Sequence, residues 1–257
     1  MIEKRWLFIG SDRRIAVCSE IMSVRGHSCR YVGSDVVTSE LEKTIIEFKP
    51  NHIVFPILQM KSDFPVQILN KETKLFVGVA EEKWLRPFLD AGLEIQSFLE
   101  EEQFVWRNAR LTAEGFIAEY YTRTKRVVSG EHFYVAGFGK VGKMVADVLS
   151  SLGADITILA RSNTQLGEAL SNHYNAQRLT SNFEVQEGCL VNTIPSQWFS
   201  PGSATKLRIF DLASAPGCLR DSRVFEYYTI LPGLPGIHFP FDAATALADA
   251  LDRMYRR

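Results

Sequence analysis

The sequence predicts an α/β fold built from two doubly wound parallel-sheet domains with an interdomain cleft. Three observations carry that expectation. Apolar runs of strand length alternate with segments of helical period along most of the chain, the pattern of parallel strands joined by crossover helices. A glycine-rich turn, Gly137-Phe138-Gly139-Lys140-Val141-Gly142, lies between the apolar run His132-Phe133-Tyr134-Val135-Ala136 and a segment with Val141, Val145, Val148, Leu149 and Leu152 at helical spacing. The length of 257 residues, 46% of them hydrophobic, suffices for two modest cores.

Residues 5–10 (Arg-Trp-Leu-Phe-Ile-Gly) read as a buried strand, and Ile15, Cys18, Ile21, Met22 and Val24 mark the apolar face of a helix ending near Gly26. A strand follows over residues 28–32. Leu41, Ile45, Ile46 and Phe48 define a second helix stopped before Pro50, and residues 52–58 read as a third strand. Residues 75–79 and 94–98 are further strands, with a helix over 81–90 between them. The turn Gly10-Ser11-Asp12-Arg13-Arg14 has one glycine of the dinucleotide fingerprint. Side chains at Ser11 and Asp12 would crowd a pyrophosphate, so no second nucleotide is expected there. Two uses of that turn stay open. Arg13 or Arg14 presents a guanidinium fork to a carboxylate, or the turn is a solvated helix start with Asp12 as N-cap.

Glu100-Glu101-Glu102 reads as a solvated charge run. Next comes Trp106-Arg107-Asn108-Ala109-Arg110-Leu111-Thr112-Ala113-Glu114-Gly115, leading into a helix with Phe116, Ile117, Tyr120 and Tyr121. Thr112 is the expected N-cap, with Glu114 in the first turn, which sets this helix end beside the cleft; an ordinary capped linker helix is the plainer alternative.

In the second half, Gly137 permits a tight turn, Gly139 lets the backbone approach a pyrophosphate, and Gly142 lets the helix pack closely on the strand. The amides and positive end of that helix then face the phosphates, giving a Rossmann-like dinucleotide site; a tight turn without a ligand is the alternative. Residues 155–160 form the next strand. An NAD-selective site usually ends this strand on Asp or Glu, whereas this chain reads Ala160-Arg161-Ser162-Asn163. A cation and a hydroxyl suit a 2'-phosphate and favour NADP, against the alternative of a surface arginine. Three later apolar strands end in Asn192-Thr193-Ile194-Pro195, Asp211-Leu212-Ala213-Ser214 and Pro232-Gly233-Leu234-Pro235-Gly236. Open parallel sheets bind ligands at such strand ends. The stiff final run offers a surface for a flat nicotinamide ring. The expected cofactor contacts are Gly137 to Gly142, Arg161, Ser162, Asn192, Thr193, Ile194, Pro195, Asp211, Leu212, Ala213, Pro232 and Gly233. His238, Glu114 and Asp211 are candidate catalytic residues, with a packed histidine and a turn-capping Asp211 as alternatives. A helix over residues 243–255 closes the chain.

The domain limits that follow are 1–110 for an N-terminal α/β substrate-side domain, 111–130 for a connecting helix, 131–240 for the dinucleotide domain, and 241–257 for a C-terminal helix packing across the domains. A formal net charge of -1 offers no broad basic field for nucleic acid or an anionic membrane. Cys18, Cys29, Cys189 and Cys218 form no Cys-x-x-Cys pair and have no histidines at ligand spacing, so no metal is expected and the thiols read as reduced. With no apolar stretch near the ~20 residues of a membrane helix and no signal-peptide core, the expected location is the cytoplasm.

Taken together, Gly10-Ser11-Asp12-x-Arg14, Asn108-x-x-x-Thr112-x-Glu114-Gly115, Gly137-x-Gly139-x-x-Gly142, Ala160-Arg161-Ser162, Asn192-Thr193-Ile194-Pro195-Ser196, Asp211-Leu212-Ala213-Ser214-x-Pro216-Gly217 and Leu231-Pro232-Gly233-Leu234-Pro235-Gly236-Ile237 resemble the A subunit of dipicolinate synthase. The sixth and seventh segments are the specific ones. The resemblance implies oxidation of dihydrodipicolinate to dipicolinate with NADP as hydride acceptor, in the mother cell of a sporulating bacterium, and a flavoprotein-like B subunit for a partner. It leaves a homodimer open. It also places Arg14, Asn108, Thr112 and Glu114 in the cleft, where an Arg14 fork and the Thr112 helix end would each hold one carboxylate of the substrate. Two rival readings remain at this point: a related two-domain hydroxy or amino acid dehydrogenase, and a nucleotide-binding structural subunit supporting a catalytic flavoprotein.

Overall fold

The computed structural model describes residues 4–180, 185, 187–200, 206–220 and 227–255. The chain forms two units, Met1–Asn108 with Phe239–Arg257, and Ala109–His238. The first unit contains β1 (Arg5–Ile9), α1 (Arg13–Val24), β2 (Ser28–Val32), α2 (Ser39–Phe48), β3 (His52–Val54), β4 (Lys74–Val77), α3 (Glu82–Asp90), β5 (Glu94–Ser97) and the start of α4 (Glu102–Thr124). The second continues α4 and adds β6 (His132–Ala136), α5 (Lys140–Ser151), β7 (Asp155–Ala160), α6 (Asn163–Ser171), β8 (Asn175–Arg178), β9 (Cys189–Asn192), β10 (Arg208–Asp211), β11 (Tyr228–Ile230) and α7 (Leu234–His238). The chain then re-enters the first unit as α8 (Pro240–Met254).

The first sheet is parallel throughout, in the order β2-β1-β3-β4-β5. Its strand β1 buries Trp6, Leu7, Phe8 and Ile9 completely, as expected of a strand covered on both faces. One covering layer is α1 with α8, whose Ala244, Leu247, Ala248 and Leu251 share a core with Ile15, Cys18 and Met22. Local signals set the helix limits. Asp12 accepts from the Arg14 amide at 2.8 Å to start α1, Thr38 accepts from the Leu41 amide at 3.1 Å to start α2, and left-handed Lys49 ahead of Pro50 ends α2.

The second sheet is also parallel, in the order β11-β10-β9-β6-β7-β8. Strand β6 has β7 on one side and β9 on the other, so the winding reverses beside it. That reversal opens a crevice at the carboxyl ends of β6 and β9.

The two-sheet architecture matches the expectation; several elements differ from it. Strand β3 stops at Val54 rather than residue 58, because Pro56 lacks the amide that a ladder needs. Within the glutamate run Glu100 and Glu102 are exposed as expected, but Glu101 is not. Glu101 is 7% exposed, accepts from the Phe104 amide at 2.7 Å, and receives Arg253 Nε at 3.0 Å and Nη2 at 2.7 Å. Because Glu101 starts α4, Thr112 lies inside that helix and is not its N-cap. Part of the proline-glycine run, from Leu234 on, forms the short helix α7, an element the sequence reading did not include. Among the described residues, no helix is long and apolar enough to cross a membrane.

Candidate functional site

The crevice is built around the turn from β6 into α5. Gly137 turns the chain with φ +90°, a left-handed conformation that a side chain would strain, and a Cβ there would lie 2.5 Å from Thr193 Oγ1. A Cβ on Gly142 would run into the Gly137 carbonyl oxygen, so α5 approaches β6 through bare backbone. Gly139 differs from both. Its backbone is extended, and a Cβ added to it would meet no heavy atom within 4 Å. The fold therefore requires two of the three glycines, while the third faces open space at the start of α5. There no side chain caps the helix, and a helix start of this kind is where a phosphate binds. Phe138 is buried in the core with Val145 and Ala146, so it can offer the crevice only its backbone. Lys140 and Val141 form the first turn of α5.

The loops after β9 and β10 line the same sheet edge. Thr193 Oγ1 donates to the Ala136 carbonyl at 2.8 Å and so ties the β9 loop to the glycine turn. Pro195, Pro232 and Gly233 are exposed, and Ile194, Leu212 and Ala213 are half-buried. Asn192 and Asp211 are corrections to the sequence reading, because both are fully buried. Asp211 Oδ1 accepts from Asn192 Nδ2 at 2.8 Å and from the Ala213 amide at 3.1 Å. Its Oδ2 accepts from the Cys218 amide and from the Tyr228 hydroxyl, each at 2.7 Å. Four donors leave this carboxylate no capacity as a base, and it acts as the clamp that joins β9, β10 and β11. The Asn192 side-chain oxygen Oδ1 is occupied likewise, accepting from the Trp198 indole at 3.0 Å and the Ile194 amide at 3.2 Å. Burial, and then its bond to Asp211, push the Tyr228 hydroxyl well above its ordinary value, so it stays a donor.

At the end of β7, Arg161 and Ser162 are exposed, and the Ser162 side chain makes no capping bond to α6. Sequence reasoning missed a second cation here. Arg178, the last residue of β8, pairs in register with Ala160 and donates Nη1 to the Arg161 carbonyl at 2.8 Å and Nη2 to Asn163 Oδ1.

The candidate acid, base and substrate groups are less open than expected. Glu114 is in an ion pair with Arg110 at 2.9 Å, and Arg110 also reaches Asp147 at 2.6 Å. His238 Nε2 lies 3.0 Å from Glu119 Oε1. Burial raises the Glu119 carboxyl, but its contacts with Arg123 and His238 outweigh this and hold it below the usual range. This carboxylate fixes the imidazole of α7 against α4. Gly115 makes the approach feasible, since a Cβ there would lie 3.0 Å from Leu234 Cβ. Asn108 and Thr112 are half-buried within α4. In the first unit the Arg14 guanidinium is not an open fork. It is 8% exposed and engaged by Asp12, with Nη2 to Oδ2 at 2.6 Å and Nε to Oδ1 at 3.0 Å. Burial pushes Asp12 up, yet Arg14 holds its carboxyl below the usual value. Arg13 next to it is exposed. The position an anion would take on this turn is filled from within, because Asp35 accepts from the Ser11 amide at 2.9 Å and from its hydroxyl at 2.5 Å. Among the described residues, no group of three or more His, Cys, Asp or Glu side chains is placed to hold a metal.

No protein-family model matches the chain. Among curated proteins it is 28% identical over 191 residues to the A subunit of dipicolinate synthase from Bacillus subtilis (strain 168). That match spans 70% of this sequence, and the chain covers 64% of that relative. The crystal structure of dipicolinate synthase, A chain, from Bacillus subtilis superposes with a TM-score of 0.81 at 20% identity, covering 100% of this protein and 97% of the other. That of the A subunit from Bacillus halodurans gives 0.78 at 21% identity, covering 99% and 98%. In sequence over the matched stretch, and in fold along nearly its whole length, the chain resembles the A subunit of dipicolinate synthase.

Proposed function

We propose that this chain is a dehydrogenase of the dipicolinate synthase type, binding NADP and oxidising dihydrodipicolinate to dipicolinate together with a second subunit, in the cytoplasm of a sporulating cell. The observation that carries the reading is the glycine turn at the sheet reversal. Gly139 keeps an open space at the start of α5, which no side chain caps, in a protein that resembles the A subunit. In this reading the backbone from Gly137 to Gly142 holds the pyrophosphate, Arg161 and Ser162 take the 2'-phosphate, and Thr193, Pro195, Pro232 and Gly233 form the surface for the nicotinamide end. NADP, when bound, supplies the hydride acceptor. The substrate loses one hydride and one proton and becomes aromatic, so the demand on a protein base is small. The chain's own residues then need to bind and orient two carboxylates. Arg13, exposed beside the Asp12–Arg14 pair, is the more available cation on its turn. In the second unit, His238 held by Glu119 is the imidazole this reading would ask to move a proton.

The test is NADPH formation by the purified protein, given NADP and freshly generated dihydrodipicolinate precursor, with and without the B subunit, while dipicolinate absorbance is followed. The expected result is turnover by the isolated chain that rises when the B subunit is added. One specific observation favours a second reading: each candidate acid or base, Glu114, Asp211 and His238, is already held by a partner in the fold. NADPH binding without turnover until the B subunit is added would make the protein the nucleotide-binding component. No NADPH binding at all would sink both readings.

A further inference from the structure

The clearest chemistry that the sequence reading did not absorb lies at the carboxyl end of β7. Arg178 is an exposed residue ending a polar edge strand, Asn-Ala-Gln-Arg, and its guanidinium reaches back over the neighbouring turn. Both of its hydrogen-bond partners there are neutral, the Arg161 carbonyl at 2.8 Å and the Asn163 amide oxygen. Several arginines of this protein are compensated by carboxylates, Arg25 by Asp249 and Asp252, Arg110 by Glu114 and Asp147, and Arg253 by Glu101. The Arg178 guanidinium instead sits on the backbone of the turn that carries Arg161, and among the described residues no carboxylate neutralises either side chain. Like charges on one turn favour an anion that joins them.

We propose that Arg178 is a specificity-determining residue of the cofactor site, which takes the 2'-phosphate together with Arg161 and fixes the β7-to-α6 turn that presents Arg161 and Ser162. The inference rests on the reading of this crevice as an NADP site. It deepens that reading by assigning a second cation, from a different strand, to the same phosphate. Two guanidinium groups match a phosphate dianion in charge and in geometry. Two of the five N–H donors of Arg178 are spent on the turn, and three remain for an anion. A carboxylate is absent from the end of β7, and the register of β8 brings a cation to the place beside it.

The test is a fluorescence titration of the full-length protein with NADPH and, separately, NADH at several salt concentrations. It compares the wild type with Arg161→Ala, Arg178→Ala and Arg178→Gln, with melting temperatures as a check on folding. Arg178→Gln keeps a donor for the Arg161 carbonyl while removing the charge, so turn-holding and phosphate attraction are read apart. The expected result is a loss of about tenfold or more in NADPH affinity for both Arg178 variants, the size expected of a charged hydrogen bond. NADH affinity stays within about twofold, and NADPH binding depends less steeply on salt. If Arg178→Gln keeps the wild-type NADPH preference and salt dependence while Arg161→Ala loses them, Arg178 is only a staple of the turn and the proposal falls, with the NADP reading intact. A wild type that binds NADH as tightly as NADPH overturns the NADP reading, and the proposal with it.

Discussion

A methyl group added at Gly142 would meet the Gly137 carbonyl oxygen, whereas one added at Gly139 would meet no heavy atom within 4 Å. These two positions separate what the fold needs from what a ligand needs. Gly142→Ala should cost about 1–3 kcal/mol through overpacking, read as a lower melting temperature. Gly139→Ala should cost less than about 1 kcal/mol, yet weaken NADPH binding about tenfold, because its Cβ enters the open space at the start of α5. Equal NADPH affinity for Gly139→Ala and wild type, in the same titration, would refute the pyrophosphate assignment. The turn was legible in the sequence because all its determinants lie within a few residues. The role of Asp211 was not, since its side-chain partners Asn192 and Tyr228 stand 19 and 17 residues away and meet it only through the β9-β10-β11 ladder.

At the scale of the element, α4 shows why helix starts are hard to read. Thr112 and Glu114 make a plausible capping pattern by residue type, but the start of α4 belongs to Glu101, whose carboxylate is bound by Arg253 from α8, 152 residues away. Glutamate is not among the favoured N-caps, so no local signal marks it. Replacing Glu101 with Ala removes the bond to the Phe104 amide and leaves Arg253 without its partner. Burial raises this carboxyl less than the Arg253 hydrogen bond, the first cause, lowers it, and the net effect favours the charged form. A loss of about 2 kcal/mol is expected from the cap and the partly exposed ion pair together. Chemical denaturation of Glu101→Ala against Glu101→Gln checks it, with Gln retaining part of the cap. Strand β8 illustrates the converse difficulty. As an exposed edge strand it has no apolar run, and Arg178 went unnoticed with it.

For the molecule as a whole, the alternation of strands and helices was legible except at α6 and β8, because both sheets are parallel and their central strands are buried on both faces. What the sequence could not show is the electrostatic state of the cores. His52, at the foot of β3, stacks on Trp6 with ring centroids 4.3 Å apart, and burial, then Lys4 and Lys74, lower its pKa from 6.5 to about 4. The folded state keeps this imidazole neutral, while the unfolded chain takes up a proton as pH falls below about 6.5. Stability present above pH 6.5 is therefore lost between about 6.5 and 4, at up to about 1.4 kcal/mol per pH unit. His52→Phe retains the stack and removes the titration. Unfolding free energies measured at intervals from pH 7 to 5 should fall for the wild type and stay flatter for the variant; parallel curves would show that His52 does not control acid sensitivity.

The carboxylate of Asp35 on the Ser11 amide and hydroxyl gives the two units different manners toward anions. A group tethered to its own site competes at an effective concentration in the millimolar range or above, so a free anion reaches that turn only by outcompeting a resident that never diffuses away. At Ser11 the first unit's strand-to-helix turn in this sense carries its own anion, while Arg13 beside it stays exposed. The second unit's turn, with Gly139 bare, is left to whatever the solution provides.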